Sequence, residues 1–130
     1  MRRTRATGRP TDSELEILQV LWRRGASTVR DVHEELKDKT GTGYTTILKI
    51  LQIMHTKGLV TRKDDQRTHI YAPAAPEKEA KQGLVRDLID RAFEGSASDL
   101  VMRAIDAKRP NADELAEIRR ALEELEKGEA

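Results

Sequence analysis

The side chains able to do covalent or metal chemistry are few and scattered. The three histidines, His33, His55 and His69, lie far apart in the chain, and there is no cysteine. Metal sites need several converging ligands, so no metal is expected, and His33 reads as a surface or boundary histidine on an amphipathic helix. The missing cysteines exclude disulfides and thiolate ligands. No nucleophile, base and orienting group occur in a recognisable arrangement, and no glycine-rich loop is built to cradle phosphate. Neither an enzyme nor a cofactor is expected.

A different chemistry stands out between positions 39 and 63, which hold no Asp or Glu although charged residues make up 36% of the chain. Placed on a helical wheel, Ile47, Leu48, Ile50, Leu51 and Met54 share one broad face. The opposite face carries Thr45, Thr46, Lys49, Gln52, Ile53 and Thr56. Small hydroxyls, one cation and one amide without a carboxylate suit a helix entering the DNA major groove. Carboxylates there would repel phosphate, whereas Thr, Lys and Gln reach base edges and backbone oxygens. Thr methyls and Ile53 can pack on thymine methyls. The plainer reading is a solvated helix face, but such faces elsewhere in this chain are rich in Glu and Asp.

The elements that must position this face can be read on either side. Thr11 and Glu14 have capping-box spacing and open a helix with Leu15, Leu18 and Trp22 in one stripe and Ile17, Val20 and Leu21 beside it. Trp22 is expected to anchor the core, and Gly25 to end the helix. A second helix begins at Thr28, with Val29, Val32 and Leu36 at helical spacing. After a turn-rich loop at 39–43, the third helix runs from about Tyr44 to Lys57 and stops at Gly58, a good left-handed cap. Leu59–Lys63 and Thr68–Ala72 read as short strands around Asp64, Asp65, Gln66 and Arg67, with the two aspartates forming the turn. Arg62, Lys63 and Arg67 make this hairpin a basic neighbour of the third helix.

Beyond Pro76 the pattern is helical again. Leu84, Val85, Leu88, Ile89, Ala92 and Phe93 form one amphipathic stripe ending near Gly95, and Leu100, Val101, Ala104 and Ile105 form a shorter one. Asn111 and Glu114 make a cap before Leu115, Ile118, Leu122 and Leu125, whose spacing is heptad-like. A segment of this size is marginal as an independent core. Its stripes need a covering surface, and either a second copy of the chain or the N-terminal half could provide one. The homodimer is the simpler reading, through Leu84, Leu88, Ile89, Phe93, Leu100, Val101, Ile105, Leu115, Ile118 and Leu122.

Charge divides in the same place. Residues 1–75 hold 14 Lys/Arg against 9 Asp/Glu, a net +5, and residues 76–130 hold 10 against 14, a net −4. One half suits a polyanion and the other does not. The expected organisation is a disordered basic tail at 1–10, a winged-helix DNA-binding domain at 11–75 and a helical dimerisation domain at 76–130. The fold class is mainly α with a small β-hairpin. No apolar run approaches the length of a membrane span and no signal peptide is visible, so a cytoplasmic protein with no membrane partner is expected.

The run GYTTILKILQIMHTKGLVTRKDDQRTHIYAP at 43–73 resembles the recognition helix and wing of the BlaI/MecI penicillinase-repressor family. The stretch from Thr11 to Leu18, followed by Leu21 and Trp22, resembles that family's first helix, and Leu84–Ile105 with the closing helix resembles its dimerisation region. The resemblance covers roughly residues 10–127. It implies a homodimer that blocks transcription by occupying a palindromic operator in double-stranded DNA, with TACA/TGTA-type half-sites. By position, Thr45, Thr46 and Lys49 would lie in the major groove, Tyr44 near the backbone, and Arg62, Lys63 and Arg67 on the wing. Two departures bear on induction. Arg103-Ala104 stands where founding members carry the Asn-Phe bond cut by a sensor-protease, and the cysteines of copper-responsive relatives are missing. Neither release route is expected, and the inducer or protease that acts on this chain is unidentified. A winged-helix module that binds a protein partner without reading DNA sequence is the alternative.

Overall fold

The computed structural model describes residues 9–128; most of the expected basic tail, 1–8, lies outside them. The order is α1 (Asp12–Arg24), α2 (Val29–Thr40), α3 (Tyr44–Lys57), β1 (Val60–Asp65), β2 (Thr68–Pro73), α4 (Glu77–Ala92), α5 (Ala97–Ala107) and α6 (Ala112–Gly128). The fold is mainly α with one antiparallel hairpin, β1 pairing with β2 from Val60 opposite Pro73 to Asp65 opposite Thr68. Three helices followed by a hairpin form a winged helix-turn-helix. Two compact units are present, one ending at Leu84 and the other beginning at Val85, so the division falls within α4.

Local chemistry fixes the helix ends. The Thr11 hydroxyl accepts from the Glu14 N–H at 3.2 Å while the Glu14 carboxylate accepts from the Thr11 N–H at 2.9 Å. Thr28 and Asp31 repeat this box at the start of α2, both bonds being 3.1 Å. Each box satisfies two backbone groups at its helix start. Asn111 and Glu114 do the same before α6, at 2.8 and 2.9 Å. At the other ends, Gly41 closes α2 with φ +71° and Gly58 closes α3 with φ +84°. Both values lie in the left-handed region that a side chain disfavours.

The core of the first unit is aliphatic. Ile17, Leu18, Val20 and Leu21 from α1, Val29, Val32 and Leu36 from α2, Ile47, Leu51 and Met54 from α3, Val60 and Tyr71 form one buried cluster. The stripe on α1 differs from the expected one. Leu15 and Trp22 are only partly buried at its edge, so Trp22 is not a central anchor, and Ile17 and Leu21 take the deepest places. Tyr71 fills much of that centre, and its backbone exchanges two hydrogen bonds with Ser27, at 2.8 and 2.9 Å. This bridge ties the entry to α2 onto β2.

The hairpin also departs in detail. Asp64 and Asp65 lie inside β1, opposite His69 and Thr68, and the reversal falls at Gln66 and Arg67, with Gln66 at φ +61°. The strands pair for longer than the turn-forming tendency of aspartate indicates, because the cross-strand partners satisfy Asp64: its carboxylate lies 2.6 Å from His69 Nδ1.

The second unit is different in kind. None of α4, α5 and α6 contains a fully buried residue. Val85, Leu88, Val101, Met102, Leu122 and Leu125 are all exposed.

Two outcomes follow for stability. Leu51→Ala should lower unfolding free energy by about 2–5 kcal/mol through transfer and cavity terms, while Ile53→Ala, on the exposed face of the same helix, should stay within about 0.5 kcal/mol; urea titration of both variants checks this. The hydrogen bond from the Thr28 N–H holds the Asp31 carboxyl below the usual aspartate range, despite the opposing effect of desolvation. A depressed native value means stability that is present above the unfolded pKa and is lost as pH falls through the native one. The melting-temperature gap between wild type and Asp31→Asn should therefore be open at neutral pH and close on acidification.

Candidate nucleic-acid interface

The exposed face of α3 is created by what its other face does. Ile47, Leu51 and Met54 are essentially inaccessible. Leu48 and Ile50 are partly buried beside them. Helical geometry then turns Thr45, Thr46, Lys49, Gln52, Ile53 and Thr56 outward, and all of them are exposed, as is Tyr44. Ile53 is 47% exposed, a large aliphatic side chain half open to solvent on an otherwise polar face.

The N-terminus of α3 is chemically unlike those of its neighbours. Its N-cap is Gly43, which offers no side-chain acceptor, and its first turn contains no acidic residue. By contrast α1 and α2 occupy their first turns with the carboxylates of their capping boxes. Free N–H groups at a helix start, together with the helix dipole, favour an anion. Tyr44 opens this turn, and the ring of His33 on α2 meets it edge-on, with ring centroids 6.0 Å apart. His33 is a boundary residue, as expected, and it has an aromatic neighbour that the sequence did not reveal.

The hairpin follows α3 with almost no slack. The Leu59 N–H donates to the Met54 carbonyl at 2.9 Å, closing the helix, and the Ala74 N–H donates to the Leu59 carbonyl at 3.0 Å. Arg62, Lys63 and Arg67 are exposed. Arg62 Nε lies 3.8 Å from Asp64, a loose contact. Lys49, Lys63 and Arg67 form no ion pair with another described residue. The structure thus brings the expected face of α3 and the expected cations of the hairpin into one unit, with the hairpin anchored at the end of the helix.

The other expected site residues belong to the apolar stripes. Leu84, Ile89, Phe93, Leu100, Ile105, Leu115 and Ile118 are half-buried, and Leu88, Val101 and Leu122 are exposed. Among the described residues no group of three or more His, Asp or Glu could hold a metal ion, and no helix is long and apolar enough to cross a membrane. A hollow of about 430 Å³ lies between the end of β2 and the start of α4, with Leu21, Trp22 and Pro73 among its lining residues. Its charged contributor, Glu77, is already bonded to Lys81 at 2.6 Å.

One pairing escaped the sequence altogether. Glu14, 3% exposed, accepts a hydrogen bond from Lys57 Nζ at 2.8 Å. Its role in the capping box was legible from spacing; its partner lies at the far end of α3, and no local pattern connects the two.

Comparison with known proteins agrees with this architecture. A model of the penicillinase repressor family matches residues 10–124. The transcriptional regulator BlaI of Mycobacterium tuberculosis (strain H37Rv) is 39% identical over 118 residues, which cover 90% of this chain and 85% of that one. The penicillinase repressor of Bacillus licheniformis is 23% identical over 114 residues, covering 88% and 89%. Among solved structures, the solution structure of the DNA binding domain of the repressor BlaI matches with a TM-score of 0.50 and 24% identity, covering 61% of this chain and 93% of that one. That likeness concerns the fold. With a family match over nearly its whole length and a 39% identical relative, the chain belongs to the penicillinase repressor family.

Proposed function

We propose that this chain is a homodimeric, cytoplasmic transcriptional repressor that binds a palindromic operator in double-stranded DNA. The observation that carries the reading is the outward face of α3: exposed, free of carboxylates, and headed by a helix start without a side-chain cap. In this account Thr45, Thr46 and Lys49 meet base edges and phosphates in the major groove, Gln52 and Ile53 extend the contact, and Tyr44 approaches the backbone. Arg62, Lys63 and Arg67 lie on the wing and neutralise phosphate. The names of the family's members, a transcriptional regulator and a penicillinase repressor, support repression rather than catalysis.

Dimerisation is supported by the state of α4, α5 and α6, which bury no residue fully while exposing several large apolar side chains. A two-fold axis covers the same patch on both copies. It also presents two reading helices to half-sites about one helical turn apart, or a multiple of that. Functionally the chain divides near Pro76, with DNA binding before it and dimerisation after it. Release from the operator uses neither thiolate chemistry nor an Asn-Phe bond. Arg103, at the position where the resemblance places such a bond, is paired instead with Asp99 at 3.3 Å and Asp106 at 3.6 Å.

The test is binding to the intergenic DNA upstream of the protein's own gene, against scrambled competitor, over a range of salt. Wild type should bind specifically, as a dimer, and weaken steeply with salt as phosphates regain counterions. Thr46→Ala combined with Lys49→Ala should weaken that binding while leaving the dimer intact. Unchanged affinity in the double variant would remove α3 as the reading helix, and a complete lack of DNA binding by wild type would favour a protein partner. Separately, Leu122→Lys should yield monomers or insoluble protein in sedimentation. A wild-type chain that sediments as a compact monomer at micromolar concentration would contradict the dimer.

A further inference from the structure

Among the cations of α3 and the hairpin, Lys57 is the one whose charge is held inside the chain. Its Nζ lies 2.8 Å from Glu14 Oε1, with the Lys57 side chain 21% exposed and that of Glu14 5% exposed. Lys49, by contrast, is exposed on the same helix and forms no ion pair with another described residue. A carboxylate this deeply buried must be paired and hydrogen-bonded, and the same Oε1 also accepts from the Thr11 N–H at 2.9 Å. One oxygen therefore receives both the first turn of α1 and the last residue of α3. Lys57 sits where the helix dipole favours a cation, so the pair joins the positive start of one helix to the negative end of the other.

We propose that Lys57 is a positioning residue for DNA recognition: pinned to Glu14, it fixes the direction of α3 on α1 and makes no contact with phosphate. The proposal rests on the DNA-binding function advanced above and deepens it. The helix is about 21 Å long, and its aliphatic contacts with the core are not directional, whereas an ion pair at its far end is. Without the pin, the helix remains buried on its inner face but its outer face shifts against the bases.

Lys57→Met in the full chain tests this, because it removes the charge and leaves the Thr11–Glu14 capping box intact. Operator and scrambled duplexes are titrated at several salt concentrations, with Lys49→Met in parallel and a melting curve for each protein. Lys57→Met should lose about tenfold in operator affinity, the size of one well-formed base contact. Its binding to scrambled DNA and its salt dependence should match wild type. Lys57→Arg should restore affinity, and Glu14→Gln, which keeps the acceptor oxygen but removes its charge, should lose operator affinity in the same direction but by less. Lys49→Met should instead flatten the salt dependence by about 1.8 in logarithmic slope, one phosphate contact from each subunit of the dimer. The same flattening in Lys57→Met would overturn the proposal by placing Lys57 on phosphate. A lowered melting temperature with unchanged operator affinity would overturn it by making the pair purely stabilising. A wild type that fails to distinguish operator from scrambled DNA would refute the underlying function, and this proposal with it.

Discussion

The first unit is organised around one constraint: the inward side of α3 must be dry. Ile47, Leu51 and Met54 sit at the centre of a cluster to which α1, α2, β1 and β2 all contribute. Burying these residues decides much else. It orients the remaining side chains outward, and it places α2 and β1 against the same helix. It also requires sharp chain reversals on both sides, which Gly41 and Gly58 provide in the left-handed region. The core is aliphatic, with Tyr71 as its one fully buried aromatic residue, and the outer face of α3 is left exposed. Its composition can then answer to something outside the chain.

The two halves of the molecule solve burial differently. The first has a closed core and a surplus of positive charge. The second has three capped or well-ended helices and no buried centre, together with a surplus of negative charge. Negative charge would oppose close approach to DNA, while exposed leucines and valines at helical spacing invite apolar association. On the proposed reading these properties are complementary: one half meets a polyanion, and the other meets its own copy.

How much of this was legible in the sequence depended on the range of the interaction. The Thr11–Glu14 and Asn111–Glu114 caps, the stop at Gly58 and the two faces of α3 were read correctly, because each is set within one or two helical turns. The second box, Thr28–Asp31, obeys the same spacing rule with an aspartate in place of the usual glutamate. Local spacing does not suffice where distant elements decide. Leu15 and Trp22 fit the periodicity of α1 as well as Ile17 and Leu21 do, and only the positions of α2, α3 and Tyr71 determine which pair goes deepest. Asp64 and Asp65 have turn chemistry, yet cross-strand partners hold them in β1. Tyr71 paired with Ser27, and Lys57 with Glu14, are contacts across the fold that no local spacing encodes. The candidate reading face was thus legible, whereas the device that fixes its direction was not.

The most direct measurement of the central claim is amide chemical-shift mapping of the isotopically labelled full chain, titrated with operator duplex and then with scrambled duplex of equal length. If the outward face of α3 reads bases, operator-specific shifts should concentrate between Tyr44 and Thr56, with a second group from Arg62 to Arg67 common to both duplexes. Operator-specific shifts confined to α5 and α6, or identical responses of α3 to the two duplexes, would contradict the account.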